Sequence, residues 1–146
     1  MSNTQFAFLK KENVPSRVKW QEAIDKLNFN ISLEIDSELE PFEDEGFSPC
    51  TWNKTDENVG FEIYYEPSDD IHDGDEELIN IIGDNDYCIT MAWGGSMKDC
   101  ASVMIASCAL QKDFGAVISY EGDDPVSFEE LIQGTIEAIE EATNED

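Results

Sequence analysis

Beyond residue 26 this chain has almost no basic residues. Residues 27–146 hold only Lys54, Lys98 and Lys112 against 31 acids, a net of −28, whereas residues 1–26 hold five basic residues against three acids, a net of +2. So small a supply of cations argues against nucleic acid as a partner, since phosphate backbones are gripped by Lys and Arg. Histidine is represented by His72 alone. That leaves no second imidazole for a zinc site, and no sequence-visible nucleophile for a histidine base to serve. Cys50, Cys88, Cys100 and Cys108 show no C-x-x-C spacing. With nothing marking secretion, they read as small buried hydrophobes of a reducing compartment. A Cys100–Cys108 disulfide is not expected, because both should lie on one helix, two turns or more apart and beyond the roughly 7 Å limit. No apolar run approaches the roughly 18 residues of a spanning helix, and the N-terminus lacks the basic-then-apolar order of a signal peptide. The expectation is a cytoplasmic protein with no membrane contact, cofactor, metal or catalytic set.

What the chain does have is a core and a coat. With 146 residues, 40% of them hydrophobic, it can bury roughly 68–70% of its unfolded surface as one domain. Eight Phe, four Tyr and three Trp argue against a disordered acidic tail. A net charge of −26 works against compaction and exceeds what solubility requires. A field of one sign on that scale reads either as a halophile-like or soluble coat or as serving a partner of the other sign.

Periodicity supplies the elements. A weakly alternating strand opens at Gln5, and Ser16 caps a helix whose stripe is Trp20, Ala23, Ile24 and Leu27. Phe29, Ile31, Leu33 and Ile35 alternate with polar residues, which predicts a half-buried strand. Residues 36–46 read as an acidic loop, residues 47–52 and 59–66 as an antiparallel hairpin, and residues 67–77 as a second acidic loop. The run 78–82 is too short to classify. Residues 87–93 are apolar enough for a central strand covered on both faces, and a deeply packed helix follows from Ser96 to Gly115. A last strand at 116–120 precedes a helix with an S-x-x-E capping box at Ser127 and Glu130, turning Leu131, Ile132, Thr135, Ile136 and Ile139 inward. This order predicts one α+β domain, 1–146, with an antiparallel or mixed sheet of about five to six strands and about three helices mainly on one face.

Two motifs suggest chemistry and are explained by simpler roles. Aligning Gly74 with the turn glycine of a calcium loop puts Asp69, Asp73 and Asp75 in liganding positions, but also Ile71 where an oxygen is required and Asn80 where a bidentate Glu belongs. The segment reads as a solvated acidic loop. Ser96 lies on a strand-to-helix turn, yet Lys98 occupies the last glycine position of a nucleophile elbow. Ser96 as an N-cap accounts for it. Acid pairs are too abundant for any two to be singled out as acid and base.

The acidic surface is the feature with positive content. Three runs supply it, 38–45, 69–77 and 137–146. If the fold joins them, their fields add over a Debye length of roughly 8 Å and steer a cationic partner. The candidate partner-binding residues are Glu40, Glu43, Asp44 and Glu45 in the first loop, Asp69, Asp70, Asp73, Asp75 and Glu76 in the second, and Glu62, Tyr64 and Glu66 on the outward face of the hairpin strand. Phe42, Phe47, Trp52, Tyr64 and Tyr65 are interleaved with these acids as candidate apolar anchors.

Val14-Pro15-Ser16, Trp20-Gln21-Glu22-Ala23-Ile24, Gly46-Phe47-Ser48-Pro49-Cys50 and Gly60-Phe61-Glu62-Ile63-Tyr64-Tyr65, with Trp93-Gly94-Gly95, resemble a group of small bacterial proteins. Some of that group accompany polymorphic or contact-dependent inhibition toxins as their immunity proteins. The resemblance implies a cytosolic, non-enzymatic antitoxin that caps a toxin domain, and it carries over no functional residues. For a basic nuclease, carboxylates on a rigid globule could occupy the groove meant for polyphosphate. A monomer is expected. The alternative is an acidic secretion chaperone, which would form a homodimer and expose apolar grooves to an extended effector.

Overall fold

A computed structural model describes residues 3–144. Six strands form one sheet, entirely antiparallel: β1 (Asn3–Leu9), β2 (Leu33–Glu34), β3 (Gly46–Trp52), β4 (Asp56–Pro67), β5 (Tyr87–Trp93) and β6 (Val117–Tyr120), in the order β2-β3-β4-β5-β1-β6. Five α-helices accompany it among the described residues: α1 (Arg17–Leu27), α2 (Ser68–His72), α3 (Glu76–Ile82), α4 (Met97–Phe114) and α5 (Phe128–Asn144). The chain is a single α+β domain. None of its described helices is long and apolar enough to cross a membrane.

The main core lies between the sheet and α4. Ala7 and Leu9, Phe61, Ile63 and Tyr65, Ile89, Met91 and Trp93, and Ile118 turn to this side and meet Ala101, Val103, Ile105 and Leu110 of α4. α1 and α5 pack on α4 from either side. Trp20 secures the first contact by donating its indole N–H to the Ala106 carbonyl at 3.2 Å. The caps form as the sequence predicts: Ser16 Oγ accepts from Lys19 N, Ser96 Oγ from Asp99 N, and Ser127 and Glu130 bond reciprocally at 3.2 and 3.4 Å. Each such cap contributes about 0.5–2 kcal/mol. Gly115, with φ of 71°, ends α4 in the left-handed conformation.

Four expectations need correction. The second acidic loop is largely helical: α2 occupies its first half and α3, capped by Asp75, begins at Glu76. Helices this short lie below the window in which periodicity is visible, and the cause is tertiary. Phe6, Phe8, Cys88 and Val117 form an apolar patch on the second face of the sheet, and Ile71, Leu78, Ile81 and Ile82 cover it. The helices therefore number five rather than about three and occupy both faces. The strand expected over residues 29–35 pairs only at Leu33 and Glu34, opposite Trp52 and Thr51. Its alternation is real in burial, since Phe29 and Ile31 lean on the main core without joining the ladder. Lastly, Ile136 faces solvent at 39% exposure, one position off the buried stripe of Leu131, Thr135, Ala138, Ile139 and Ala142.

Candidate protein-interaction site

Opposed residues of an antiparallel pair share a face. Phe47 pairs with Glu62 across β3 and β4, and Glu62, Tyr64 and Glu66 pair with Ala92, Thr90 and Cys88 across β4 and β5. These side chains occupy the sheet face turned away from α4. α2 and α3 close that face over Phe8 and Cys88. The β3–β4 half stays open, with Phe47 at 65% exposure and Glu62 exposed beside it. The Tyr64 hydroxyl donates to Glu62 Oε1 at 2.7 Å. That bond, then desolvation, then the charges of Glu62 and Glu45 hold the Tyr64 phenol above its ordinary pKa.

The first acidic loop closes on itself with its own carboxylates. Asp36 Oδ1 accepts from Glu38 N at 3.0 Å and Asp44 Oδ2 from Glu40 N at 2.8 Å. Glu45 Oε2 accepts from Tyr65 N at 3.3 Å, bonding β4 just beyond the point where β3 begins. At the loop tip Phe42 adopts φ of 71°, a left-handed conformation costing about 1–2 kcal/mol for a residue with a side chain. From there its ring reaches Tyr65 and Tyr87, with centroids 5.7 and 5.3 Å away. Lys11 lies over both Phe42 and Tyr87, 5.3 Å from each centroid. An ammonium thus already sits against this acid-rimmed aromatic pair.

Between loop and sheet lies a concavity of about 320 Å³ walled by Asp36, Glu38, Asp44 and Glu45, with Phe47 and Ser48 on the strand side. No Lys or Arg lines it. Arg17 spends its guanidinium on the carbonyls of Ile35 and Asp36, at 2.8 and 3.2 Å. Asp36, Glu38, Asp44 and Glu45 all line this pocket, and through the oxygens that do not close the loop such carboxylates can receive a guanidinium or ammonium group by charge-assisted hydrogen bonds.

Tyr87, at the start of β5, packs against Phe42 of the first loop; burial first, then the charges of Glu45, Glu66 and Asp70, raise its phenol above the ordinary value. Of the candidate residues, Asp44 and Glu45 line one pocket, Glu62, Tyr64 and Glu66 share the open face of the sheet, and Glu40, Glu43 and Asp70 are exposed. The others carry local duties. Asp69 Oδ1 lies 3.1 Å from His72 Nε2. Gly74 N–H donates to Nδ1 of that ring, which leaves the ring proton on Nε2 facing the carboxylate. Asp73 takes the left-handed position after α2, Asp75 accepts from Glu77 N and Leu78 N, and Glu76 opens α3. Among the described residues, no three of His, Cys, Asp or Glu are grouped as metal ligands.

The third acidic run does not join the other two. Its described part, through Asn144, rides on α5 in the helix layer, where Glu141 bears on Cys100 of α4; residues 145 and 146 lie outside the described residues. Of the aromatic anchors, Trp52 and Tyr65 are core, at 4% and 6% exposure, and Phe42 is half committed to Tyr65 and Tyr87. Phe47 is the one fully presented. Asp36, Glu38 and Ser48 as pocket walls, and Lys11 as a cation beside the Phe42 and Tyr87 rings, are not among the residues expected from the sequence. Of these, Glu38 inside the run 38–45 and Asp36 in the acidic loop 36–46 left a signal. No protein-family model matches this chain, and no curated protein or solved structure shows significant similarity to it.

Proposed function

We propose that this protein is a cytosolic immunity protein that binds a cationic toxin domain, a nuclease by preference, and neutralises it by covering the active site or substrate groove. One observation carries the reading: an exposed Phe47 set between a four-carboxylate pocket and the acidic face of Glu62, Tyr64 and Glu66. An apolar anchor inside a charged rim is how protein partners hold one another, with the aromatic supplying affinity and the rim supplying rate and selectivity. The basic residues with which a nuclease binds phosphate are the groups this pocket is suited to receive. The carboxylates stand on strands and on a loop closed by its own hydrogen bonds, so little ordering is required on binding.

The chaperone reading is second. It calls for a long apolar groove, whereas the exposed large apolar residues among those described, Val18, Phe42, Phe47, Ile79, Tyr120 and Ile136, sit on six different segments, and the apolar cleft at Trp93 and Tyr120, about 440 Å³, has the size of a small-molecule site. The two readings separate on the partner's state. Co-expression with the product of the adjacent reading frame, followed by affinity purification, should yield one folded basic domain at near 1:1 for an antitoxin. A large effector held through an extended segment would favour the chaperone.

A further inference from the structure

A second concavity lies on the opposite side of the sheet, between its β1, β5 and β6 edge and the helices α4 and α5. It measures about 440 Å³, within the roughly 300–1,000 Å³ of small-molecule sites. Its apolar walls are Trp93, Met97, Met104, Tyr120, Val126 and Leu131. The Trp93 and Tyr120 rings stand 6.1 Å apart, tilted by 48°.

The polar side chains in the lining already have partners. Asn3 Nδ2 donates to the Gly94 carbonyl at 3.1 Å and Asn3 Oδ1 accepts from the Tyr120 hydroxyl at 2.9 Å. Gln5, 3% exposed, donates its amide to Ser107 Oγ at 2.7 Å and lies 3.9 Å from the Met104 sulphur. Ser96 Oγ caps α4, Glu130 Oε1 accepts from the Ser127 hydroxyl at 3.0 Å, and the Cys100 sulphur accepts a hydrogen bond from the Trp93 indole N–H. No basic residue lines the space, and its one acid is held in the capping box. An anion would meet Glu130 and a strongly negative protein with no countercharge; a cation would find a single carboxylate, that of Glu130, whose Oε1 already holds the capping box. Water would find few uncommitted partners, and a water site needs two to four of them.

From this we propose that the cleft between β1, β5, β6 and the α4–α5 pair is a binding site for a small, uncharged, ring-containing apolar molecule. The aromatic pair offers ring faces and the two thioethers offer soft contacts that adapt to irregular shapes. The site is separate from the acidic interaction face and does not rest on the antitoxin reading.

The test uses two dyes with one ring skeleton, neutral N-phenyl-1-naphthylamine and its anionic sulfonate, 1-anilinonaphthalene-8-sulfonate. Each is titrated against the full chain in high salt, so that the overall charge is screened. The neutral dye should bind saturably at 1:1, quench Trp93 and protect Cys100 from alkylation, and the sulfonate should bind about tenfold or more weakly. Cys100→Phe, which fills the cleft, should abolish binding. Should that variant not fold, Met97→Trp on the first turn of α4 serves as the blocking change. Saturable dye binding that persists in a folded blocking variant, equal affinity for the two dyes, or no saturable binding of the neutral dye would overturn the proposal.

Discussion

Phe47 and Gly60 are packed as one unit on the open face of the sheet. A Cβ built on Gly60 would stand 2.6 Å from Phe47 Cζ and 2.5 Å from the Ser48 carbonyl oxygen. Only a residue without a side chain lets that ring rest against β4. Gly60→Ala must therefore displace backbone as well as ring, and should destabilise the fold by about 1–3 kcal/mol, the usual range for overpacking. Denaturant melts check the stability. Loss of partner affinity beyond that of Phe47→Ala would show that the backbone of β3 had moved too.

Phe47 and the carboxylates should act on different rate constants. Truncating an exposed aromatic anchor leaves the fold alone and raises dissociation, so Phe47→Ala should cost about 2–4 kcal/mol of binding with an unchanged melting temperature. Reversing Glu62, Glu66 and Asp70 together should slow association by about tenfold or more at low salt, and much less at high salt. Surface plasmon resonance on both variants separates the two. An unchanged association rate in the triple variant would remove the case for electrostatic steering through this face.

Asp56 and Lys98 link the start of β4 to α4, with Oδ2 and Nζ 2.7 Å apart. The Lys98 hydrogen bond first, then the backbone N–H of Asn58, hold the Asp56 carboxyl below its ordinary range. A lowered carboxyl pKa means stability that is present above the unfolded value, about 3.9, and lost as pH falls through the folded one. Wild type should therefore exceed Asp56→Asn in stability by a constant margin from neutral pH down to about 4, with the margin closing below. A gap that widened on acidification would contradict this sign.

Gln5 and Ser107 form a buried polar pair between β1 and α4. Ser107 Oγ also donates to the Val103 carbonyl at 2.7 Å, so Gln5 is the donor to its free acceptor side. Gln5→Leu should cost about 1–3 kcal/mol by leaving that acceptor without its donor. Adding Ser107→Ala should recover part of the loss, because removing both partners is cheaper than stranding one. A double-mutant cycle in denaturant reads the coupling directly.

The elements that were legible in the sequence are those whose signal is local. The stripe of Trp20, Ala23 and Ile24, the alternation of Val59, Phe61, Ile63 and Tyr65, the dense run of β5 and the Ser127–Glu130 box each specify their own conformation. α2 and α3 were not legible, because they are helical in order to cover Phe8 and Cys88, which lie far away in sequence. The acidic site was half legible. Its residues could be named from composition, but which of them share a face of the sheet depends on the register of β3, β4 and β5, which no single stretch reveals. The third run is acidic like the other two, but its described part lies in another layer, on α5.

The most direct test of the central claim is affinity co-purification with the adjacent reading frame's product, comparing wild type with the triple reversal of Glu62, Glu66 and Asp70 at low and high salt. An acidic antitoxin should recover one folded basic domain with the wild type at near 1:1, markedly depleted for the triple variant and weakened by salt. Equal recovery with both forms, indifferent to salt, or no basic protein recovered with either, would contradict it.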